Sequence, residues 1–227
     1  MAEHAATQFN PADDAGRKAR LMSVLRRTAP EAPPLPELSS PAWIHYPDRI
    51  KQFSDTLAFV GGTCVHVPDM NALREHLLTH PPFMKAALAC SVIPEIGEAD
   101  LSPAGSERKF IDVNAVDDPH DLAMVDFAVL PGRFAVAENG AVWVDDRSLR
   151  HRAIYFIVQH LALVVPTSSL IDHMHAAYDR LTFESPGFGV FLSGPSKTAD
   201  IEQSLVIGAH GPRSHVVYLV DLGADKF

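Results

Sequence analysis

The amino-acid sequence predicts an α/β protein, a three-layer α/β/α domain with a mostly parallel sheet over residues 42–227. Two observations predict this fold class. Short apolar runs alternate with helical patterns along this part of the chain, as they do in a succession of strand–helix–strand units. Runs such as Leu161–Val165 and Val216–Val220 are apolar throughout and predict buried strands.

Residues 1–41 predict an N-terminal arm that is separate from this domain. Asp13 and Asp14 precede a stretch in which apolar residues recur at helical spacing, and arginines follow at its end, so a short amphipathic helix is expected. Such a helix could dock a partner or pack on its own domain. A stiff, extended linker is then predicted by five prolines within twelve residues, Pro30, Pro33, Pro34, Pro36 and Pro41.

The first half of the domain has the pattern of two helices, a pair of strands around Gly61-Gly62 and a buried strand. The predicted ranges are Asp48–Leu57 for the first helix, Ala58–Val60 and Thr63–Val67 for the strand pair, Asp69–Leu78 for the second helix and Leu88–Ile93 for the buried strand. Asp69 is a helix-capping residue, and the prolines after residue 80 end the helix. Residues 95–121 are poor in apolar side chains and predict a long acidic surface excursion.

The second half of the domain predicts further strands followed by one helix. The strands are Leu122–Leu130, Arg133–Val144 with a bend at Asn139-Gly140, and Leu161–Val165. Ser168 or Ser169 is expected to cap a helix that runs through Leu181, because serine is a favoured residue at that position.

Composition and charge narrow the class of protein. The formal charge of −9 is carried by residues 42–227, whereas residues 1–40 hold five basic and five acidic side chains. An acidic domain argues against nucleic acid or an anionic membrane as a partner. The start of the chain lacks the pattern of a signal peptide, and the longest apolar run is too short for a membrane span. We therefore expect a cytoplasmic protein.

The stretch from Phe191 to Asp221 concentrates polar and charged side chains between apolar runs. The runs Gly189–Leu192, Ser204–Ile207 and Val216–Val220 are separated by two Gly-Pro turns, Gly194-Pro195 and Gly211-Pro212. Ligands of open α/β sheets bind where loops leave the carboxyl ends of strands, so these turns are candidates for a binding site. Turns are also polar simply because they face water, and that interpretation stays open.

The residues of these turns predict a small-anion site. Gly194, Ser196, Lys197 and Thr198 could surround an anion with hydroxyl groups, backbone amides and one lysine, without the spacing of a nucleotide-hydrolysing loop. His210, Gly211 and Arg213 form the second turn, and an arginine fork suits a carboxylate. Asp200 and Glu202 could serve as an acid–base pair, although Asp200 could equally cap a helix.

The same stretch resembles the LUD-domain family of the bacterial lactate-utilisation system. The resemblance lies in the pattern Gly-Pro-Ser-x-Thr-Ala-Asp-Ile-Glu from Gly194, followed by an apolar run and Gly-x-His-Gly-Pro ending at Pro212. It implies a fold related to the sugar-phosphate isomerases and CoA transferases, and a role in oxidising L-lactate to pyruvate. The family has no settled catalytic residue, so the resemblance implies no mechanism.

Glu138 is a candidate catalytic residue on a second, shorter resemblance. The sequence Glu138-Asn139-Gly140 is similar to the Ser-Glu-Asn-Gly motif of class I CoA transferases, with Ala137 in place of the serine. In those enzymes the glutamate attacks a thioester, which divides acyl transfer into two easier steps. Asn-Gly between two apolar strands is also the favoured two-residue hairpin turn, so a structural role is the alternative.

Neither a metal site nor a redox cofactor is predicted in this chain. Cys64 and Cys90 stand alone in apolar settings and predict free thiols in a reducing compartment, whereas an iron–sulfur cluster usually needs four thiolates. The pairs His173/His175 and His76/His80 lack further ligands at suitable spacing. The fingerprint Gly-x-Gly-x-x-Gly of dinucleotide-binding loops does not occur.

Three functions remain open at this stage. The chain could be a non-redox subunit of a lactate-oxidising complex, with iron–sulfur clusters in partner subunits and a small carboxylate or phosphate ligand of its own. It could instead be an acyl- or CoA-transferase-like enzyme that uses Glu138, or a docking module that contacts partners through its N-terminal arm and acidic excursion. Because lactate oxidation releases two electrons to an acceptor, we expect no lactate oxidation by this chain alone.

Overall fold

The structure is a computed structural model that describes residues 11–30, 34, 43–102, 105–181, 187–199 and 205–222. By contacts between residues, the chain divides into two units, Met1–Ser40 and Pro41–Phe227. The first unit contains an 18-residue helix, α1 (Pro11–Thr28), where the sequence predicts the amphipathic helix. Its side chains Leu21, Val24 and Leu25 are exposed.

The second unit is built from short helices and strands. Its α-helices within the described residues are α2 (Arg49–Phe59), α3 (Met70–Thr79), α4 (Pro81–Lys85), α5 (Glu98–Leu101), α6 (Ile154–Ile157) and α7 (Met174–Tyr178). The strands are β1 (Thr63–Val67), β2 (Leu88–Ser91), β3 (Lys109–Phe110), β4 (Phe127–Pro131), β5 (Phe134–Val136), β6 (Ala141–Asp145), β7 (His160–Pro166), β8 (Leu170–Ile171), β9 (Gly189–Leu192), β10 (Lys197–Ala199), β11 (Leu205–Ile207) and β12 (Ser214–Val220). Two 3₁₀ turns lie at Pro119–Met124 and Thr167–Ser169.

A six-stranded sheet organises the unit, in the order β1-β12-β7-β4-β2-β3, and all of its pairings are parallel. Successive side chains of a strand point to opposite faces, and here both faces are covered. On β7, for example, Leu161 and Leu163 belong to one buried cluster, and Ala162 and Val164 to the other. The predicted α/β class with a mostly parallel sheet flanked by helices is confirmed.

A second sheet, β8-β5-β6-β9, packs on one of these faces. The hairpin between β5 and β6 turns at Asn139-Gly140, where Gly140 has a φ of +64°. Gly140 lies against helix α2, because a Cβ there would stand 2.9 Å from the backbone nitrogen of Leu57. The bend predicted at Asn139-Gly140 is therefore a true hairpin turn, as the alternative interpretation of this sequence holds.

Four predicted elements differ from the structure. The predicted strand Leu122–Leu130 begins only at Phe127, because residues 122–124 belong to a 3₁₀ turn. Ala58–Val60 is not a strand, since Ala58 and Phe59 complete helix α2 and Val60 is its C-cap residue. The predicted helix from Ser168 or Ser169 begins only at Met174, because the intervening Leu170–Ile171 pairs with β5 as a strand. The predicted acidic excursion, residues 95–121, contains α5, β3 and the start of a 3₁₀ turn. These elements form because apolar residues of the segment are buried in the core, namely Ile96, Leu101 and Val113.

Candidate functional site

The two Gly-Pro turns meet at the edge of the large sheet where β1, β12 and β7 begin, called here the amino edge. Gly211-Pro212 precedes β12, and Gly61-Gly62 precedes β1. The Ser196 N–H donates to the Pro212 carbonyl at 2.9 Å, which joins the first turn to the second. The turn Gly194-Pro195 follows β9 of the second sheet and so lies at the carboxyl end of a strand, as expected. For Gly211-Pro212 the expectation is wrong, because this turn comes before β12.

Close backbone packing explains the glycines of both turns. Gly194 has a φ of +75°, and a Cβ there would lie 2.6 Å from the Val60 carbonyl oxygen. A Cβ on Gly211 would lie 2.9 Å from the Ser196 Cβ and 3.0 Å from the Phe156 carbonyl oxygen. Glycine avoids the steric cost of a side chain at both positions. The path of the two turns is thus tightly constrained.

The turns enclose a cavity of about 250 Å³, called here the first cavity. Four of the predicted site residues line it, namely Gly194, Ser196, His210 and Gly211. Its other lining residues are mainly apolar, and they are Tyr155, Phe156, Leu161, Phe191, Leu192, Ser193, Pro195 and Pro212. A small ligand in the first cavity would therefore meet hydroxyl groups and one imidazole at a largely apolar wall.

Arg213 lines a different cavity, of about 340 Å³, called here the second cavity. It is lined by Pro82, Lys85, Ala86, Asp126, Gln159, His160 and Arg213. His160 is adjacent in β7 to Leu161, which lines the first cavity, and neighbouring strand residues point to opposite faces. The two cavities thus lie on opposite faces of the amino edge, and the turn at residues 211–213 borders both.

Two further predicted residues, Lys197 and Thr198, line neither cavity. Lys197 and Thr198 begin strand β10, where they pair with Ile207 and Val206 of β11. Lys197 is exposed and Thr198 is half-buried. Asp200 and Glu202 lie outside the described residues.

Burial and neighbouring charges in the second cavity determine the protonation of His160. Burial, together with the charge of Arg213, lowers the pKa of His160, although Asp126 acts in the opposite direction. The His160 Nδ1 lies 2.7 Å from the Ser214 hydroxyl oxygen. The Asp126 Oδ2 accepts hydrogen bonds from the backbone N–H groups of Ala87 and Leu88. At neutral pH the cavity therefore holds a neutral imidazole, a carboxylate and two cationic side chains.

His215 is the most deeply buried histidine near the turns. It is 2% exposed, and neither ring nitrogen has a hydrogen-bond partner of normal geometry in the described part of the chain. Burial lowers its pKa to about 4, while the nearby Gly194 backbone acts to raise it. An unpaired imidazole is costly to bury, and more so when it is charged.

Glu138 lies at the β5–β6 hairpin, where its side chain is exposed and outside the lining of the first cavity. Its Oε2 accepts a hydrogen bond from the Met174 N–H at 2.8 Å, which caps the start of α7. Next to it, the Asn139 carbonyl accepts a hydrogen bond from the Ser193 hydroxyl. The carboxylate has a structural contact here, and its role as an acyl nucleophile stays a prediction.

The histidine pairs and the cysteines occupy structural positions. The His76 Nδ1 lies 2.9 Å from the Tyr218 hydroxyl, His173 caps helix α7, and His175 stacks on Trp43. Burial raises the pKa of both thiols to about 12. Among the described residues, no three histidine, cysteine or acidic side chains are grouped closely enough to hold a metal ion. None of the helices formed by these residues is long and apolar enough to cross a membrane.

Sequence reasoning missed three residues of the second cavity: Lys85, Asp126 and His160. Each comes from a different part of the chain, on α4, before β4 and at the start of β7. Only the strand order, which places β7 between β4 and β12, brings them to Arg213. The sequence signal for Asp126 and His160 is that each comes directly before an apolar run. This signal predicts the start of a strand but does not indicate a ligand.

Comparisons with known proteins give consistent results. The family model of the LUD domain matches residues 94–220, more than half of the chain. Two curated relatives, both called Lactate utilization protein C, come from Geobacillus thermodenitrificans and Bacillus pumilus. The first is 39% identical over 83 residues, covering 34% of this chain and 35% of the relative. The second is 30% identical over 101 residues, covering 42% of each. The matches thus span well under half of these relatives.

A solved structure is also similar to this chain. It is a DUF162 family protein from Deinococcus radiodurans, with a TM-score of 0.52 and 19% sequence identity. The match covers 76% of this chain and 96% of the Deinococcus chain. At this identity, the likeness shows a shared fold.

Proposed function

Because the chain belongs to the LUD domain family, we propose that it is a non-redox subunit of a system that oxidises L-lactate to pyruvate. The proposal is supported by the names of relatives such as the Geobacillus and Bacillus proteins, which refer to lactate utilisation. The electrons would pass to iron–sulfur clusters in partner subunits. The contribution of this chain would be to bind a small carboxylate.

The observation that carries the small-carboxylate part is that polar side chains of the two turns line two neighbouring cavities at the amino edge. Ser196 and His210 line the first cavity, and Arg213 lines the second, all within reach of two turns that a backbone hydrogen bond joins. Arginine is the side chain best suited to a carboxylate, because its planar fork can donate two parallel hydrogen bonds. A site of this kind suits lactate, pyruvate or a comparable small anion.

The non-redox part is supported by the chemistry of the side chains. Removing two electrons from a hydroxy acid requires an acceptor such as a flavin, a nicotinamide, a metal or a cluster. Cys64 and Cys90 have raised pKa values and are unsuited to act as thiolate ligands. An acceptor in a partner chain is therefore the simpler arrangement.

A dye-reduction assay tests this role. The purified chain, with its iron content measured, is mixed with L-lactate and an artificial electron acceptor, alone and with candidate iron–sulfur partner proteins. We expect reduction only in the presence of the partners and only when this chain is also present. Lactate-dependent reduction by the pure, iron-free chain would contradict the proposal.

Calorimetry tests the binding of a small acid. L-lactate, pyruvate and phosphate are titrated into the wild-type chain and into Ser196→Ala, His210→Gln and Arg213→Ala. We expect millimolar or tighter binding of at least one of these anions, weakened by one or more of the substitutions. Ser168→Ala is the matched control, because the Ser168 hydroxyl bonds the Leu222 carbonyl at the opposite edge of the sheet.

A docking role is the second candidate, and it is favoured by strand β11. Its three residues, Leu205, Val206 and Ile207, are all exposed although all are apolar. Exposed apolar groups of this kind commonly mark protein contacts. If β11 docks a partner subunit, Leu205→Ser with Ile207→Ser should weaken co-purification with the iron–sulfur proteins and leave the melting temperature unchanged.

A further inference from the structure

Two cationic side chains of the second cavity, Lys85 and Arg213, have no ion-pair partner among the described residues. In the part of the chain that the structure describes, no carboxylate lies within 4.0 Å of Lys85 or Arg213. Several other arginines of the domain are paired, as Arg74 is with Asp100 and Arg133 with Asp145. Lys85 and Arg213 therefore remain available to an anionic ligand.

The same cavity offers acceptors for a hydroxyl group. The Asp126 Oδ2 is occupied by two backbone N–H groups, and its Oδ1 has no recorded partner among the described residues. The His160 ring is neutral at pH 7, because burial and Arg213 lower its pKa, and its Nδ1 lies beside the Ser214 hydroxyl. In the tautomer whose Nδ1–H donates to the Ser214 hydroxyl oxygen, the Nε2 can accept a hydrogen bond from a ligand. A cation pair and an acceptor in one cavity suit a ligand that has a carboxylate and a hydroxyl group.

Charge and shape narrow the ligand further. Lys85 and Arg213 with Asp126 give one net positive charge, which a monoanion balances and a dianion exceeds. Pro82 and Ala86 supply apolar surface beside the polar groups, enough for a methyl or another short alkyl substituent. The cavity of about 340 Å³ is within the range of small-molecule sites.

We infer that the second cavity is the binding site for a short 2-hydroxy acid, with its carboxylate on Arg213 and Lys85 and its hydroxyl group on Asp126 or His160. This inference rests on the proposed function and deepens it, because it names the substrate class and the cavity. It involves binding and orientation only, with no transfer of electrons by this chain. The hydroxyl group would donate its hydrogen bond to the Asp126 Oδ1 or the His160 Nε2.

The first cavity is less suited to the carboxylate. Its described lining has two serine hydroxyls and the exposed imidazole of His210 but no lysine or arginine, and much of its wall is aromatic or aliphatic. A desolvated carboxylate without a cationic partner is costly. The two cavities therefore make different predictions about which substitutions weaken binding.

Calorimetry with a matched pair of ligands tests the assignment. L-lactate and propionate differ by the hydroxyl group, so the ratio of their affinities measures that group alone. We expect Lys85→Ala and Arg213→Ala each to weaken both ligands by about twofold to fivefold, because both cations are exposed and water screens their charge. Lys109→Ala removes an exposed lysine of strand β3 outside the cavity and should leave both affinities unchanged.

Two further variants, Asp126→Asn and His160→Phe, test the contact to the ligand hydroxyl group. In Asp126→Asn, the amide oxygen can still accept from Ala87 and Leu88, which leaves an NH₂ group that cannot accept the ligand hydroxyl. His160→Phe removes the other acceptor and keeps a ring beside Phe127. We expect at least one of the two to reduce the preference for lactate over propionate by about fivefold or more, in line with the usual energy of a hydrogen bond. An unchanged preference in both variants would overturn the hydroxyl contact.

Failure of this inference is distinguishable from failure of the proposed function. If lactate binds the wild-type chain but only Ser196→Ala and His210→Gln weaken it, the second cavity is overturned and small-acid binding stands. If neither acid binds at millimolar concentration, the inference falls together with the small-acid part of the proposal. The dye-reduction assay would still decide the non-redox role. Circular dichroism of Lys85→Ala and Arg213→Ala controls for folding, which should persist because both side chains are exposed.

Discussion

Charged side chains are paired at the end of strand β6 in the second sheet, whereas cations at the amino edge of the large sheet are unpaired among the described residues. At the end of β6, Asp145 accepts hydrogen bonds from Arg133 and Arg147. At the amino edge, Lys85 and Arg213 have no carboxylate partner among the described residues. Paired charges of the first kind stabilise the fold, whereas unpaired cations contribute little to it. The difference indicates where a ligand can contribute the missing partner.

A second acidic group shows the same use of charge for structure. Asp172 is 5% exposed, and its carboxylate accepts two hydrogen bonds from Arg49 and one from the Tyr46 N–H, with the His45 Nδ1 at 3.1 Å. These hydrogen bonds, first of all those of Arg49, hold the pKa of Asp172 well below its usual range, although burial opposes them. Asp172 thereby fastens the segment before α2 to the end of β8.

The largest effect is expected from breaking the Asp145 cluster. Asp145→Ala leaves the Arg133 guanidinium, whose side chain is 16% exposed, without its carboxylate partner. Loss of one partner from a buried pair typically lowers the free energy of unfolding by about 3–5 kcal/mol. Urea denaturation monitored by circular dichroism measures this change.

The control is an ion pair that water screens. Lys51 and Asp55 are both exposed and lie one helical turn apart on α2. Asp55→Ala should leave the free energy of unfolding nearly unchanged, because water screens this exposed pair. If Asp145→Ala were as mild as Asp55→Ala, the distinction between structural and available charges would lose its basis.

The sequence predicts the sheet better than the site because the two depend on different information. Apolar runs such as Leu161–Val165 and Val216–Val220 identify buried strands locally. Local pattern failed at Ala58–Val60, where an apolar triplet before Gly61-Gly62 has the composition of a strand. The triplet instead ends helix α2, because Leu57 before it is fully buried in the core and the helix continues to Phe59.

For the site, local sequence could name residues but not their partners. Ser196 and His210 were predicted to converge, and both do line the first cavity, because their turns are close in sequence. Arg213 was grouped with them, but it borders the second cavity with His160. That separation follows from strand alternation at a sheet edge, which requires knowledge of which strands are neighbours.

His215 allows a test of burial without a partner at the amino edge. Its folded pKa of about 4 lies below the ordinary value of 6.5, so the unfolded chain binds a proton more readily. The part of the free energy of unfolding that depends on a neutral His215 is fully present above about pH 6.5. It is lost as the pH falls toward 4, by up to about 3 kcal/mol. His215→Phe and His215→Gln should both flatten the decline of stability between pH 6.5 and 4, measured by denaturation at several pH values.

Two variants separate titration from packing. Phenylalanine keeps a ring and removes the unpaired nitrogens, whereas glutamine keeps polarity, and neither side chain titrates. Their stabilities at pH 7.5 can differ, but both should lose the acid-dependent part. A decline as steep in both variants as in the wild type would mean that His215 ionisation does not limit stability at low pH.

A smaller effect than that of Asp145→Ala is expected at Gly194, and it tests whether the backbone of the first turn affects ligand binding. Gly194→Ala introduces a Cβ at a φ of +75° and 2.6 Å from the Val60 carbonyl oxygen, so the loop must shift. We expect a loss of about 1–2 kcal/mol in the free energy of unfolding, the usual cost of such backbone strain. Gly97→Ala is the control, because Gly97 has a φ of −98° and open space around its Cβ position, and it should cost less.

Since Gly194 lines the first cavity only, Gly194→Ala should leave the affinity of the second cavity for L-lactate within about twofold of wild type. A large loss of lactate affinity in Gly194→Ala, with Gly97→Ala unaffected, would mean that the carboxylate depends on the first turn after all.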